Sequence, residues 1–261
     1  MDKTTQRGSL EMVAAMLISG TIGWLVMLSG QAVLDVVFWR CVFGAATLLV
    51  ICALMGFLRP GVLNRHSFLM IVLSGVAIVA NWVLLFASYS RASIAIGTAV
   101  YNVQPFILLG LAALFLGEKI TLQKLAWLAV SFAGMLAIVS AHHGKGESGT
   151  EYLLGIALAL SAALMYAVAV LIIKRLRAVP PHLIALIQVS TGILLLAPMA
   201  NITELPTGTQ AWSTLLTLGV VHTGLMYVLL YGAIQKLPTA LIGALSFIYP
   251  IAAIFVDWFA F

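Results

Sequence analysis

Long apolar runs follow one another along the chain, and polar residues are confined to the short breaks between them. A helix needs about 20 mainly apolar residues to cross roughly 30 Å of hydrocarbon. Nine runs meet that length, near 11 to 30, 34 to 57, 67 to 89, 92 to 116, 122 to 141, 152 to 174, 181 to 200, 211 to 234 and 238 to 259. The pattern predicts an all-α integral membrane protein with nine transmembrane helices. The fourth run is unusual: Ala92 to Lys119 carries Pro105 near its middle and stops on Gly117-Glu118-Lys119. Proline removes a backbone donor and clashes with the preceding turn, so a span keeps it only where something compensates.

The same piece occurs twice. Placing residue n beside residue n+145 aligns 81–105 with 226–250 without a gap. Val83/Val228, Leu84/Leu229, Leu85/Leu230, Ala95/Ala240, Ala99/Ala244 and Pro105/Pro250 are identical, and Trp82/Tyr227, Phe86/Tyr231 and Arg91/Lys236 are alike in kind. The offset predicts two repeats of five helices, 1–141 and 152–261, joined by an external polar linker at 142–151. An odd number of spans inverts the second copy, the arrangement of secondary transporters with a site near the midplane. Leu116 falls beside Phe261, so counterparts of Gly117-Glu118-Lys119 and of a tenth helix lie past the last residue. The tenth helix is therefore expected to be missing, by truncation in preference to a natural nine-helix form.

Composition narrows the class. With 63% hydrophobic and 8% charged residues and a mean hydropathy of +1.14, the chain is far from soluble domains, in which about a quarter of residues are charged. The formal charge is +5, but the thirteen Lys and Arg are dispersed, which excludes a nucleic-acid stripe. Their placement instead sets topology, because Lys and Arg favour cytoplasmic loops. With the N-terminus cytoplasmic, Lys3, Arg7, Arg59, Arg65, Lys119, Lys124, Lys174, Arg175, Arg177 and Lys236 all fall inside, Arg91 and Lys145 fall outside, and Arg40 lies within a span. Cys41 and Cys52 share one apolar run, so they read as packed thiols with neither disulfide nor metal spacing. The adjacent His142 and His143 share no helical face and read as solvated loop residues. The first run has no small-residue cleavage site and reads as retained.

Few residues within the spans carry chemistry. Arg40 either faces a central cavity and attracts a substrate carboxylate or phosphate, or snorkels outward and supports packing, the structural role being preferred. Asn81 and Trp82 in the third helix, with Tyr227 and Tyr231 in the eighth, would form two symmetry-related aromatic walls. Tyr101 and Gln104 precede Pro105, as Ser246 and Tyr249 precede Pro250, and each proline frees the carbonyl four residues earlier. The two prolines are the expected hinges beside a substrate site. His222 is a candidate proton carrier, with a structural histidine the preferred reading. Glu11, Glu118, Asp35 and Asp257 all lie near span ends, so no midplane carboxylate is evident. No nucleophile motif, phosphate loop or H-E-x-x-H is present, and no cofactor or metal is implied.

VYNVQPF followed by FLGEK, SFIYPIAAIF, and FWRCVFGAATLL resemble the drug/metabolite transporter superfamily, specifically its EamA-type members with ten helices in two inverted halves. The family usually has Trp-Gly in its first helix, where this chain has Ser19-Gly20 and delays its tryptophan to Trp24. The resemblance implies export of a small metabolite, often an amino acid, by alternating access across the cytoplasmic (inner) membrane. The expected partners are a small-molecule substrate and the lipid bilayer, with the protein a monomer or homodimer. Drug or other metabolite efflux on the same fold is the alternative, ahead of an intramembrane enzyme or a non-transporting scaffold. An inverted duplication has a use in alternating access and none in a single catalytic centre.

Overall fold

Helical segments make up nearly all of the structure, a computed structural model that describes residues 3–59, 61–140, 149–201 and 206–260. They run in the order α1 (Lys3–Ser19), α2 (Ile22–Leu28), α3 (Val33–Leu54), α4 (Arg65–Ala92), α5 (Ile94–Tyr101), α6 (Gln104–Leu116) and α7 (Leu122–Ser140). After the linker come α8 (Thr150–Arg175), α9 (Pro181–Leu196), α10 (Thr209–Gly219), a π-helical turn (Val220–Leu225), α11 (Met226–Lys236), α12 (Thr239–Ser246) and α13 (Ile248–Ala260). His142, His143, most of the linker and Phe261 lie outside the described residues.

The all-α architecture is as expected, but the count of nine spans is not. Among the described residues seven helical stretches are long and apolar enough to cross a membrane: Lys3–Leu28, Val33–Leu54, Arg65–Ala92, Ile96–Leu116, Thr150–Arg175, Thr209–Lys236 and Thr239–Val256. The run at 181–200 yields α9, whose 16 residues reach only about 24 Å at 1.5 Å each, short of the hydrocarbon thickness. The run at 122–141 yields α7, which is not among the seven; its side chains from 134 onward lie outside the described residues.

Each proline starts a helix rather than bending one. The chain turns at Asn102 and Val103, and Pro105 enters the first turn of α6, where its missing N–H costs nothing. Pro250 likewise sits in the first turn of α13, after α12 has ended at Ser246. The first break is polar and buried: the Asn102 amide donates to the Thr98 carbonyl at 2.6 Å. The Asn102 side-chain oxygen, Oδ1, and the Thr98 hydroxyl there have no hydrogen-bond partner. Other boundaries follow local chemistry. The Asn64 side chain caps α4 by accepting from the Ser67 N–H at 2.7 Å. Gly117, at φ +66°, ends α6 in the left-handed conformation that glycine adopts without strain.

In the packed bundle α8 lies along α4 and α1 along α11, while α3 meets α9. α6 packs firmly on α12, whereas α5 and α13 scarcely touch. α3 also comes very close to the π turn. A Cβ on Gly219 would stand 2.2 Å from the Phe43 Cβ, and one on Gly44 would stand 2.5 Å from the Thr223 Cγ2. Only small residues allow backbones this near one another.

Candidate functional site

A cavity of about 60 Å³ lies at the centre of the bundle. Its polar wall is Arg40 from α3, Asn81, Trp82 and Tyr89 from α4, Tyr101 and Gln104 from the first helix break, Tyr166 from α8, Tyr227 from α11 and Tyr249 from α13, with Ser19 at the end of α1. The Trp82 Nε1–H donates to the Tyr227 hydroxyl at 2.6 Å, with the rings edge to face at 5.3 Å. These two residues are 145 positions apart. Asn81 donates from Nδ2 to the Tyr101 hydroxyl at 3.2 Å and to the Ala162 carbonyl at 2.9 Å. Tyr101 in turn sets its ring edge against Tyr166 and Tyr249. Such edge-to-face contacts hold rings in place beyond what their buried area contributes.

Arg40 is 1% exposed and is among the largest fully buried side chains. Its Nε donates to the Thr223 hydroxyl at 2.7 Å and its Nη2 to the His222 carbonyl at 3.1 Å. The guanidinium carbon stands 4.1 Å over the Trp82 ring. Both acceptors belong to the π-helical turn Val220–Leu225. Arg40 therefore anchors α3 on the α10–α11 rod and faces the cavity at once. The ion pairs among the described residues are Arg7–Glu11, Arg91–Glu151, Lys174–Glu118 and Lys236–Glu11, and Arg40 has none.

Of the residues singled out from sequence, Arg40, Asn81, Trp82, Tyr101, Gln104, Tyr227 and Tyr249 line the cavity. Three lie behind its wall. Tyr231 gives its hydroxyl proton to the Gln188 side-chain carbonyl, and Gln188 donates to Ser74 at 2.7 Å. The Ser246 hydroxyl donates to the Gly243 carbonyl at 2.7 Å. His222 has its Nε2 2.6 Å from the Thr21 hydroxyl and its Nδ1 3.3 Å from the Thr217 carbonyl. Pro105 does not line the cavity; it packs against α12, where a Cβ on Gly243 would approach its own Cβ to 3.0 Å. Sequence reasoning missed Tyr89 and Tyr166. The signal for Tyr166 was present, since it is a phenol deep inside the apolar run at 152–174.

It also missed the knot that closes one end of the bundle. Lys174, with a side chain only 2% exposed, donates to Glu118 at 3.0 Å, to the Thr239 hydroxyl at 2.5 Å and to the Leu237 carbonyl at 3.5 Å. Thr239 donates to the same Glu118 oxygen at 2.6 Å. The left-handed turn at Gly117 delivers Glu118 to this position. Partial burial pushes the Glu118 carboxyl up, but the bonds from Thr239 and Lys174 outweigh it and hold the group below its ordinary value. Nearby, Lys236 pairs with Glu11 at 2.5 Å, and Arg175 donates to the Phe115 carbonyl at 2.6 Å. The opposite end carries a more exposed pair, Arg91–Glu151 at 3.3 Å. On that side of the cavity the hydroxyls of Tyr89 and Tyr249 meet at 3.1 Å.

Comparison with known proteins agrees with this architecture. The model of the EamA-like transporter family matches residues 6–140 and 153–261. The chain is 27% identical over 249 residues to the uncharacterized transporter YxxF of Bacillus subtilis (strain 168), a match covering 95% of this chain and 80% of that protein. It also superposes on a solved crystal structure with a TM-score of 0.80 at 19% identity, over 97% of this chain and 89% of the other, which shows a shared fold.

Proposed function

The chain belongs to the EamA-like transporter family, and from that premise we propose that it exports a small amphipathic metabolite, with amino acids the leading class, by alternating access through the central cavity. A multi-pass membrane transporter of this family moves small molecules. The observation that carries the proposal is the contact between Trp82 and Tyr227 in the cavity wall. Two residues at equivalent places in the two copies can touch only on the axis that relates the copies, so the cavity lies where the halves meet.

The helix ends support the same reading. α5 ends at Tyr101 and α12 at Ser246, again 145 positions apart (246 − 101). Residues 1–141 and 152–261 are in this account two inverted repeats, and the paired breaks before Pro105 and Pro250 are the hinges on which each half moves. The end bearing Glu11, Glu118, Lys174 and Lys236 is the cytoplasmic one, in keeping with the positive charge gathered there. The membrane is then the cytoplasmic membrane.

Proteoliposomes loaded with a labelled amino-acid panel test the proposal, with and without a pH gradient. Efflux of at least one apolar or aromatic amino acid above protein-free vesicles is expected. Retention of the whole panel, with release of an unrelated drug-like compound, would replace amino-acid export by drug efflux on the same fold.

A further inference from the structure

Arg40 is the one formally charged side chain among the residues lining the cavity. Two other cations that are buried or half-buried have carboxylates: Lys174 has Glu118 and Lys236 has Glu11. The contacts of Arg40 are neutral, namely the Thr223 hydroxyl, the His222 carbonyl and the rings of Trp82, Phe86 and Tyr227. They orient the guanidinium without cancelling its charge. A buried cation lacking a counter-ion is costly, and an anion arriving beside it removes that cost. The planar fork of Arg suits a carboxylate, which it can hold by two parallel bonds.

The remaining wall holds no carboxylate to pair with an ammonium group, and the aromatic faces of Trp82, Phe86 and Tyr227 already carry the Arg40 guanidinium. It holds aromatic rings and the neutral side chains of Ser19, Asn81 and Gln104. Asn81 commits its amide donors to Tyr101 and Ala162. A neutral oxygen can receive a hydroxyl or an amide as readily as an ammonium group, and it supplies no charge to offset the repulsion from Arg40.

We propose that the cavity recognises a small organic carboxylate with an apolar or aromatic body, reading the carboxylate through Arg40 and leaving any amino group unread. The proposal rests on the reading of the cavity as the transport site. It makes the deaminated acid at least as good a ligand as the matching amino acid, and it excludes the amide and the amine of the same body.

The test is a ligand series on the wild-type protein, because Arg40 also anchors α3 and Arg40→Gln risks the fold. Purified protein is titrated with 3-phenylpropionate, 3-phenylpropionamide, 2-phenylethylamine and phenylalanine, and stabilisation against heat reports binding. The acid is expected to bind at least about tenfold more tightly than the amide or the amine, and no more weakly than phenylalanine. Equal binding of amide or amine, or binding of phenylalanine alone, would overturn the proposal. No binding by any of the four, in protein that still releases amino acids from proteoliposomes, would overturn it and leave the export reading standing. No binding together with no release of any amino acid would remove both. Arg40→Lys, which keeps the positive charge, is expected to retain the preference for acid over amide with weaker affinity; loss of the preference in a folded Arg40→Lys protein would show that the planar fork, not the charge alone, reads the carboxylate.

Discussion

At the Glu11 end, α6 packs along α12, and Glu118, Lys174 and Thr239 from three separate segments share one hydrogen-bonded knot. At the Arg91 end, α5 and α13 scarcely meet, and a hydroxyl contact between Tyr89 and Tyr249 stands beside the cavity. In the proposed duplication α6 and α12 correspond to α13 and α5, so equivalent pairs of helices are in different states. Opening the first end means parting Lys174, whose side chain is 2% exposed, from Glu118 and from the Thr239 hydroxyl that bonds both. The second end is held by the neutral hydroxyl contact of Tyr89 with Tyr249 and by the more exposed Arg91–Glu151 pair, a kind of pair that contributes about 0–1 kcal/mol. In the proposed transport cycle the structure then stands nearer the state open at the Arg91 end, with substrate binding favouring opening at the other.

Breaking the stronger closure should have the largest effect. Lys174→Met leaves Glu118 and Thr239 without their shared donor and is expected to shift the protein toward opening at the Glu11 end, with a fall in transport of about tenfold or more. Folded yield by size-exclusion chromatography, measured alongside, separates gating from misfolding. If transport and yield drop in equal proportion, the knot is only a packing feature. Tyr249→Phe removes one hydroxyl from the weaker closure and should change the transport rate by no more than about fivefold, the worth of one neutral bond. A larger effect would mean that the tyrosine contact rivals the knot.

Glu11→Gln should matter least. Its pair with Lys236 is partly exposed, and such pairs contribute about 0–1 kcal/mol. Acid offers a finer comparison. Because the folded state holds the Glu118 carboxyl below its ordinary value, the stabilisation it gives the closed end is present above that ordinary value and is lost as pH falls through the lowered one. Closure at the Glu11 end, read by labelling of an introduced cysteine, is therefore expected to be unchanged between about pH 5 and pH 8 and to weaken only in stronger acid. A loss already at pH 6 would point to a different titrating group.

What could be read from sequence was what acts locally or recurs. Proline disfavours an unbroken helix through its position, so the breaks before Pro105 and Pro250 were legible, and the offset of 145 paired Trp82 with Tyr227 before either could be seen to touch. Span length was less legible. The apolar run at 181–200 continues past the point where α9 ends at Leu196, because apolar composition marks a segment as buried or lipid-facing and does not fix its last hydrogen bond. Tyr231 shares a helix face with Tyr227 but lies one turn further along, where Gln188 of α9 takes its hydroxyl. The π turn has no single-residue signature, so the anchoring of Arg40 could not be foreseen. Lys174 read as a topology marker and Glu118 as a carboxylate at a span end, since a charge at the end of a span looks the same whether it faces water or a partner.

The asymmetry between the two ends is tested most directly by asking from which side the empty cavity can be reached. Ser19 lines the cavity, and the native Cys41 and Cys52 are buried. A Ser19→Cys protein with both native cysteines replaced by alanine can be labelled in oriented vesicles with a membrane-impermeant maleimide added from either side. Labelling without substrate is predicted to be faster from the Arg91 side by about tenfold or more, since the Glu11 end is closed by the more deeply buried and more extensively bonded cluster. Equal labelling from both sides, or faster labelling from the Glu11 side, would contradict the account.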